Sequence, residues 1–217
     1  MLDLARLRKQ PPAGLDRRRP LIICDVDEVI VHFLRGLEAF LEENGLWLDP
    51  ASFALNGNIR RRVGGDPLHA SELGPILMRC FAAKTRHFEL VDGARDTLEE
   101  LSGAAQVVLL SNLPEEFAED RRINLKAHGM EYPYFANEGP KGPAVKKMAQ
   151  AIDAPVFFID DSPSNLQSVA EHLPVAHIIH FMQDARFARH VGSFDYVSLR
   201  TDSWAEAKTH ILGLIAP

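Results

Sequence analysis

The order of apolar runs in this chain predicts an α/β protein: a doubly wound, Rossmann-like parallel sheet with a small α-helical cap domain. Two observations carry that expectation. Apolar runs that read as buried strands, Leu21–Cys24, Val107–Leu110 and Val156–Ile159, each lead directly into polar residues: Asp25-Val26-Asp27-Glu28-Val29, Ser111-Asn112 and Asp160-Asp161-Ser162. Beyond Asp92-Gly93 such strands alternate with helical spacing, which implies parallel pairing and right-handed crossovers.

Taken in order, residues 1–20 form a basic leader with Arg6, Arg8, Lys9, Arg17, Arg18 and Arg19 against Asp3 and Asp16. It has no hydrophobic stretch, so it reads as a solvated tail and not as a secretory signal. The first strand, 21–25, is followed by an insert over 32–91 that is helical in pattern. Phe33, Leu37, Phe40 and Leu41 recur at helix spacing, with Gly45 at the C-terminal cap. Asp49-Pro50 reads as a second helix start, because proline is pre-organised for the first helical position. Asn56-Gly57 and Gly64-Gly65-Asp66-Pro67 read as turns. Leu73, Ile76, Leu77, Cys80 and Phe81 predict a longer helix over about 71–86, with Pro75 in its first turn.

After the insert, a helix with Ala94, Leu98 and Leu101 ends near Gly103 and leads into strand 106–110. Pro114 opens the next helix, which stops near Gly129. A short strand at Tyr134–Ala136 precedes Lys141, and the following helix places Val145, Met148, Ala149 and Ile152 on one face. Strand 156–160, helix 163–172 and strand 175–181 follow, and a last helix capped near Asp202 buries Trp204, Ala207, Ile211 and Leu214. The expected organisation is a tail (1–20), a core (21–31 and 92–217) and a cap (32–91). An insert directly after the first strand hangs over the carboxyl end of the sheet and acts as a lid.

At 217 residues the chain can bury one full core. Its 46% hydrophobic and 25% charged content is that of a water-soluble globular protein. The net charge of −6 disfavours binding to nucleic-acid polymers, which depends on basic surface. No apolar stretch reaches the roughly 20 residues of a membrane span. Cys24 and Cys80 read as free buried thiols, consistent with a cytoplasmic protein. The histidines lack zinc-ligand spacing, and His177 and His180 read as packing or surface residues.

Ligands of a parallel α/β sheet bind beyond the carboxyl ends of its strands. Asp25 and Asp27, two apart at such an end, can face one site as nucleophile and proton donor. An isolated DxD is more often an acidic turn. Asp160 and Asp161 are costly at the end of a buried strand without a cation, and carboxylates suit Mg²⁺. The plainer role there is helix capping, which Ser162 can fill. Ser111-Asn112 alone reads as a strand-to-helix cap. Lys141 at a helix start opposes the helix dipole, a conflict that a bound anion would resolve. The set supplies the fixed positive charge and donors that phosphoryl transfer needs.

Across residues 21–217 the ordered combination resembles the haloacid dehalogenase (HAD) superfamily of phosphohydrolases. The matching fragments are DVDEV (25–29), LLSN (109–112), the lysine of PKGP (Lys141) and IDDSPSN (159–165). The resemblance implies an Asp25 nucleophile, an Asp27 acid/base, and phosphate binding by Ser111 and Lys141, with Asn112 beside them as a further substrate-binding candidate. It also implies Mg²⁺ held by Asp25, the Asp27 carbonyl and Asp161, with Asp160 assisting. Two departures are Glu28, where most relatives carry glycine, and Asn165, where many carry a second acid. The insert position is similar to the helical-cap subclass, which implies a small phosphorylated metabolite as partner. A narrower resemblance to the deoxyribonucleotidases makes Phe33 a candidate for stacking a base, and makes a 5'-nucleotidase-like phosphatase the alternative. In the lid, one of Arg60-Arg61-Arg62 could grip a further anionic group. The competing reading from another class is a catalytically silent protein that binds a phosphorylated ligand.

Overall fold

The computed structural model describes residues 14–215. Its strands are β1 (Leu21–Cys24), β2 (Leu46–Leu48), β3 (Ile59–Arg61), β4 (Gln106–Ser111), β5 (Tyr134–Ala136), β6 (Val156–Asp160), β7 (His177–Phe181) and β8 (Leu199–Thr201). The α-helices are α1 (Phe33–Glu43), α2 (Ala70–Lys84), α3 (Ala94–Ala104), α4 (Ala118–Ala127), α5 (Gly142–Ala149), α6 (Pro163–His172), α7 (Ala185–Ala188) and α8 (Trp204–Ile215).

Six strands form one sheet in the order β5-β4-β1-β6-β7-β8, and each neighbouring pair is parallel. Alternate side chains leave opposite faces of a strand, and here both faces are covered. Ile22, Cys24, Leu109, Phe157 and Ile159 pack with Leu98 and Leu101 of α3 and Trp204 and Ile211 of α8. Leu21, Ile23, Leu110 and Phe158 pack with Val145 and Met148 of α5 and Leu166 of α6 on the other face. Phe157 and Phe158 are fully buried, and each contributes about 1.5–3 kcal/mol by leaving water.

Between β1 and α3 runs the inserted segment expected to act as a lid. Leu37, Phe40 and Leu41 of α1 pack with Leu46, Leu48, Ile59 and Cys80 in a separate apolar cluster that also takes in Met182 and Phe187 of the core. The two crossings into the lid are tied together: His32 N–H donates to the Glu89 carbonyl and Val91 N–H to that of Ile30, both at short range (2.9 and 2.8 Å).

Several expectations need correction. No helix starts at Asp49-Pro50. Instead β2 and β3 pair antiparallel, with Leu46 and Leu48 buried on either side of exposed Trp47. The Asn58 side-chain amide donates to the Ser52 and Ala54 carbonyls, so those acceptors are taken by a loop rather than by helical N–H groups. A capping box between His69 and Glu72 starts α2 earlier than expected, which leaves Pro75 past the first turn. The turn after Pro114 is a 3₁₀ turn, Glu115–Phe117, ahead of α4. Ile152 lies beyond the end of α5, the strand expected from residue 175 begins at His177, and Leu214 is exposed. Ser162 is the N-cap residue of α6, but its hydroxyl makes no capping bond.

Where it is described, residues 14–20, the leader is mostly exposed but is tied to the core. Arg17 pairs with Asp153 at 3.0 Å, Arg19 donates to the Ser102 and Ala105 carbonyls, and Leu15 packs on the core. The remainder of that expectation, residues 1–13, lies outside the described residues. Among the described residues no helix is long and apolar enough to cross a membrane.

Candidate active site

The strand order reverses at β1, whose neighbours are β4 on one side and β6 on the other. That reversal opens a crevice at the carboxyl ends. Cys24 is in register with both Leu109 and Ile159, and Asp25 N–H donates to the Ile159 carbonyl at 2.9 Å. Asp25, Ser111 and Asp160 therefore emerge side by side from the three central strands.

Lys141 reaches them from the start of α5. Gly142 beside it lets α5 approach α6 closely: a Cβ there would sit 2.2 Å from the Ser168 carbonyl oxygen. The Gly142 N–H donates to Ser168 Oγ at 3.1 Å. So anchored, the Lys141 ammonium is fully buried, 2.6 Å from Asp25 Oδ1 and 2.7 Å from Asp160 Oδ2. Burial alone would lower its pKa, but Asp160 and Asp25 outweigh burial and hold it above the usual lysine range.

The two adjacent aspartates divide their work. Asp160 is fully buried and accepts from Lys141 Nζ, from the Ser162 N–H at 2.9 Å and from Asn165 Nδ2 at 3.3 Å. Asn165 thus supports Asp160. Asp161 is half-buried and lines the central cavity. Burial first, then the charges of Asp160 and Asp25, push its carboxyl well above the usual range. Asp25, Asp160 and Asp161 each offer an oxygen within 4.8 Å of the others. Three carboxylates around one lysine leave excess negative charge, and such a set of hard oxygen donors fits a divalent cation. Asp25 is itself raised to about 7, chiefly by burial, with Lys141 opposing.

Asp27 lines the same cavity, of ≈ 360 Å³, and forms an ion pair with Arg121 of α4. Arg121 is fully buried, lies 5.1 Å above the Phe88 ring, and has Nε and Nη1 without partners. Its sequence neighbour Arg122 pairs with Glu119 at the surface, and nothing in the local pattern distinguishes the two.

Ser111 is fully buried, and its Oγ accepts from the Leu113 N–H at 3.1 Å. Asn112 and Leu113 line the cavity in its place. Asn112 donates to the Gly139 carbonyl at 3.0 Å and accepts from Asn137 at 2.8 Å, which steadies the loop before Lys141. Phe33 lines the cavity, packs edge-on against Phe88 and tilted against Phe81, and lies against both the core cluster and the lid cluster. The lid arginines do not line the cavity. Arg60, Arg61 and Arg62 pair with Asp49, Glu72 and Glu42.

Glu28 occupies a left-handed conformation, φ 61°, which costs a residue with a Cβ roughly 1–3 kcal/mol. Two bonds offset this cost. Its carboxylate accepts from the Leu34 N–H at 2.6 Å and from Gln183 Nε2 at 2.8 Å, so it caps the lid helix from the core side. Burial raises its pKa to about 7 against those two donors. Gln183 and Arg121 were not legible as site residues. His180, read as packing, meets the Asp161 carbonyl through Nε2 at 3.1 Å.

No protein-family model and no curated protein matches the chain. Solved structures do. A haloacid dehalogenase-like family hydrolase from Streptococcus pneumoniae is 17% identical with a TM-score of 0.62, covering 89% of this chain and 98% of its own. A HAD family hydrolase from Deinococcus radiodurans, solved with bound phosphate and sodium, has the same identity and TM-score over 93% of this chain and 100% of its own. YfnB of Bacillus subtilis, solved bound to magnesium, is 14% identical with a TM-score of 0.61, covering 91% and 99%. The parallel six-stranded sheet flanked by helices is thus a haloacid dehalogenase-like fold.

Proposed function

We propose that the protein is a Mg²⁺-dependent phosphomonoester hydrolase that works through an aspartyl-phosphate on Asp25. The observation that carries the reading is the buried cluster itself. Asp25 stands 2.6 Å from Lys141 at the mouth of the crevice, with Asp161 close enough to share a cation. Asp25 and Asp161 would hold the ion, with Asp160 fixing Lys141 beside them. Bound there, Mg²⁺ supplies charge neutralisation for the transferred phosphoryl group.

Asp25 must be ionised to attack, and Lys141 favours that form against burial. Its carboxylate oxygen attacks phosphorus, and the bond from phosphorus to the substrate's leaving oxygen breaks. Asp27 donates a proton to that oxygen and an alcohol departs. Asp27, now a carboxylate, takes a proton from water, whose oxygen attacks the phosphorus and displaces Asp25. Inorganic phosphate leaves and both aspartates are restored. Arg121 donates to Asp27 Oδ1 and keeps the carboxyl group turned toward the cavity, leaving Oδ2 to carry the proton, and Asn112 offers a polar edge to the phosphoryl oxygens. The likeness to phosphate-bound and magnesium-bound structures supports this reading at the level of fold.

Hydrolysis of an aryl phosphate tests it. Activity that requires Mg²⁺ and is lost both in EDTA and in Asp25→Asn supports the enzyme. Retained Mg²⁺ binding without hydrolysis supports a phosphate-ligand-binding protein instead.

A further inference from the structure

A second cavity, of ≈ 180 Å³, adjoins the first and shares Glu28, Phe33, Leu55 and Asp161 with it. Its walls are apolar: Phe33, Leu34, Phe53 and Leu55 from the lid meet Met182 and Phe187 from the segment after β7. Of the four polar residues on this wall, Glu28, Asp161, Gln183 and Asp184, the Asp161 carboxylate is the one without a hydrogen-bond donor among the described residues, and the proposed function assigns it to the cation. Glu28 accepts from Leu34 and Gln183, and Asp184 accepts from the N–H and side chain of Arg186. Among the described residues lining either cavity, Lys141 is the one cation, and it is held between Asp25 and Asp160. A second phosphate or carboxylate on the substrate would therefore face Glu28, Asp161 and Asp184 with no positive partner.

From this we infer that the second cavity seats the substrate's leaving group, and that this group is a largely apolar alkyl or aryl alcohol carrying no second negative charge. The inference rests on the hydrolase reading and names its substrate class. It disfavours sugar bisphosphates, whose second phosphate would face these carboxylates, and leaving groups rich in hydroxyls, because a hydroxyl turned to Phe33, Leu34, Phe53, Leu55, Met182 or Phe187 finds no partner. It also narrows the part played by Phe33, which divides the phosphate end from the apolar end and forms a wall of both.

A series of straight-chain alkyl phosphates tests the subsite, since their alcohols leave about equally well and differ mainly in apolar area. Binding to Asp25→Asn with Mg²⁺ present, followed by calorimetry, reads the subsite whether or not turnover occurs. Affinity is expected to rise about fourfold per methylene until the cavity is filled. Glycerol phosphate is expected to bind about tenfold or more weaker than propyl phosphate. Phe53→Glu, at a half-buried lid position, should reduce the step per methylene to below twofold. Val63→Glu, 90% exposed in the same lid, should leave the step intact. Affinities that do not change with chain length, or tighter binding of glycerol phosphate or a bisphosphate, would overturn the inference. If the methylene steps appear in binding while the wild-type protein hydrolyses none of the series, the subsite stands and the hydrolase reading fails.

Discussion

Replacing Glu28 by glutamine should make the protein more stable at neutral pH, and the gain should depend on pH in a defined way. In the fold this carboxyl is raised from 4.5 to about 7, and the residue is 7% exposed. A raised acid favours its protonated form, so the native state holds this proton over a pH range in which the unfolded chain has released it. The contribution is complete below about pH 4.5 and is lost as pH rises through about 7. Two to three pH units correspond to about 3 kcal/mol. Glutamine keeps an oxygen for the Leu34 N–H, and reversal of the Gln183 amide lets it meet the new NH₂ group. Urea unfolding of both proteins in EDTA, from pH 4.5 to 8, measures the effect. Asp25 also titrates in this range, but it is common to both proteins and cancels in the difference. The difference should be near zero at pH 4.5 and reach about 3 kcal/mol in favour of Glu28→Gln at pH 8. A difference that does not change with pH, or a glutamine variant that is the weaker protein at pH 8, would refute the account of Glu28 as a desolvated charge.

Further outcomes follow from the packing and contacts described above. Asp161→Asn should abolish Mg²⁺ binding by calorimetry, whereas Asn165→Ala, which removes only support for Asp160, should weaken it modestly. Gly142→Ala should destabilise the protein by about 1–3 kcal/mol in urea, because the added methyl meets the Ser168 backbone. Gly103→Ala in α3, where a Cβ meets nothing, should stabilise by up to about 1 kcal/mol. Arg121→Met should lower kcat by about 10²-fold with KM little changed, since it frees the Asp27 carboxylate without touching the phosphate contacts; an unchanged kcat would show that the ion pair is only structural.

The sheet was legible because its strands are buried on both faces and read as continuous apolar runs closed by polar residues. The lid was less so. Leu46-Trp47-Leu48 is too short to show its alternation, and the Asn58 amide that organises the following loop acts through side-chain bonds that no periodicity reveals. The aspartates and Lys141 announced themselves by their place at element ends. What they contact did not: the Lys141 ammonium lies between Asp25 and Asp160, and Ser111 holds its own turn. Arg121 was hidden because a buried arginine and its solvated neighbour look alike in one sequence. Glu28 was visible as an anomaly, and the structure supplies its reason, a carboxylate joining lid helix to core across a left-handed turn.

The most direct test of the central claim is acid quenching during turnover of an aryl phosphate, followed by mapping of the phosphoryl group onto peptides. The account predicts one phosphoryl group on the carboxylate of Asp25, accumulating further in Asp27→Asn and absent from Asp25→Asn. Steady hydrolysis with no phosphoryl group on Asp25, or with the group on another side chain, would contradict it.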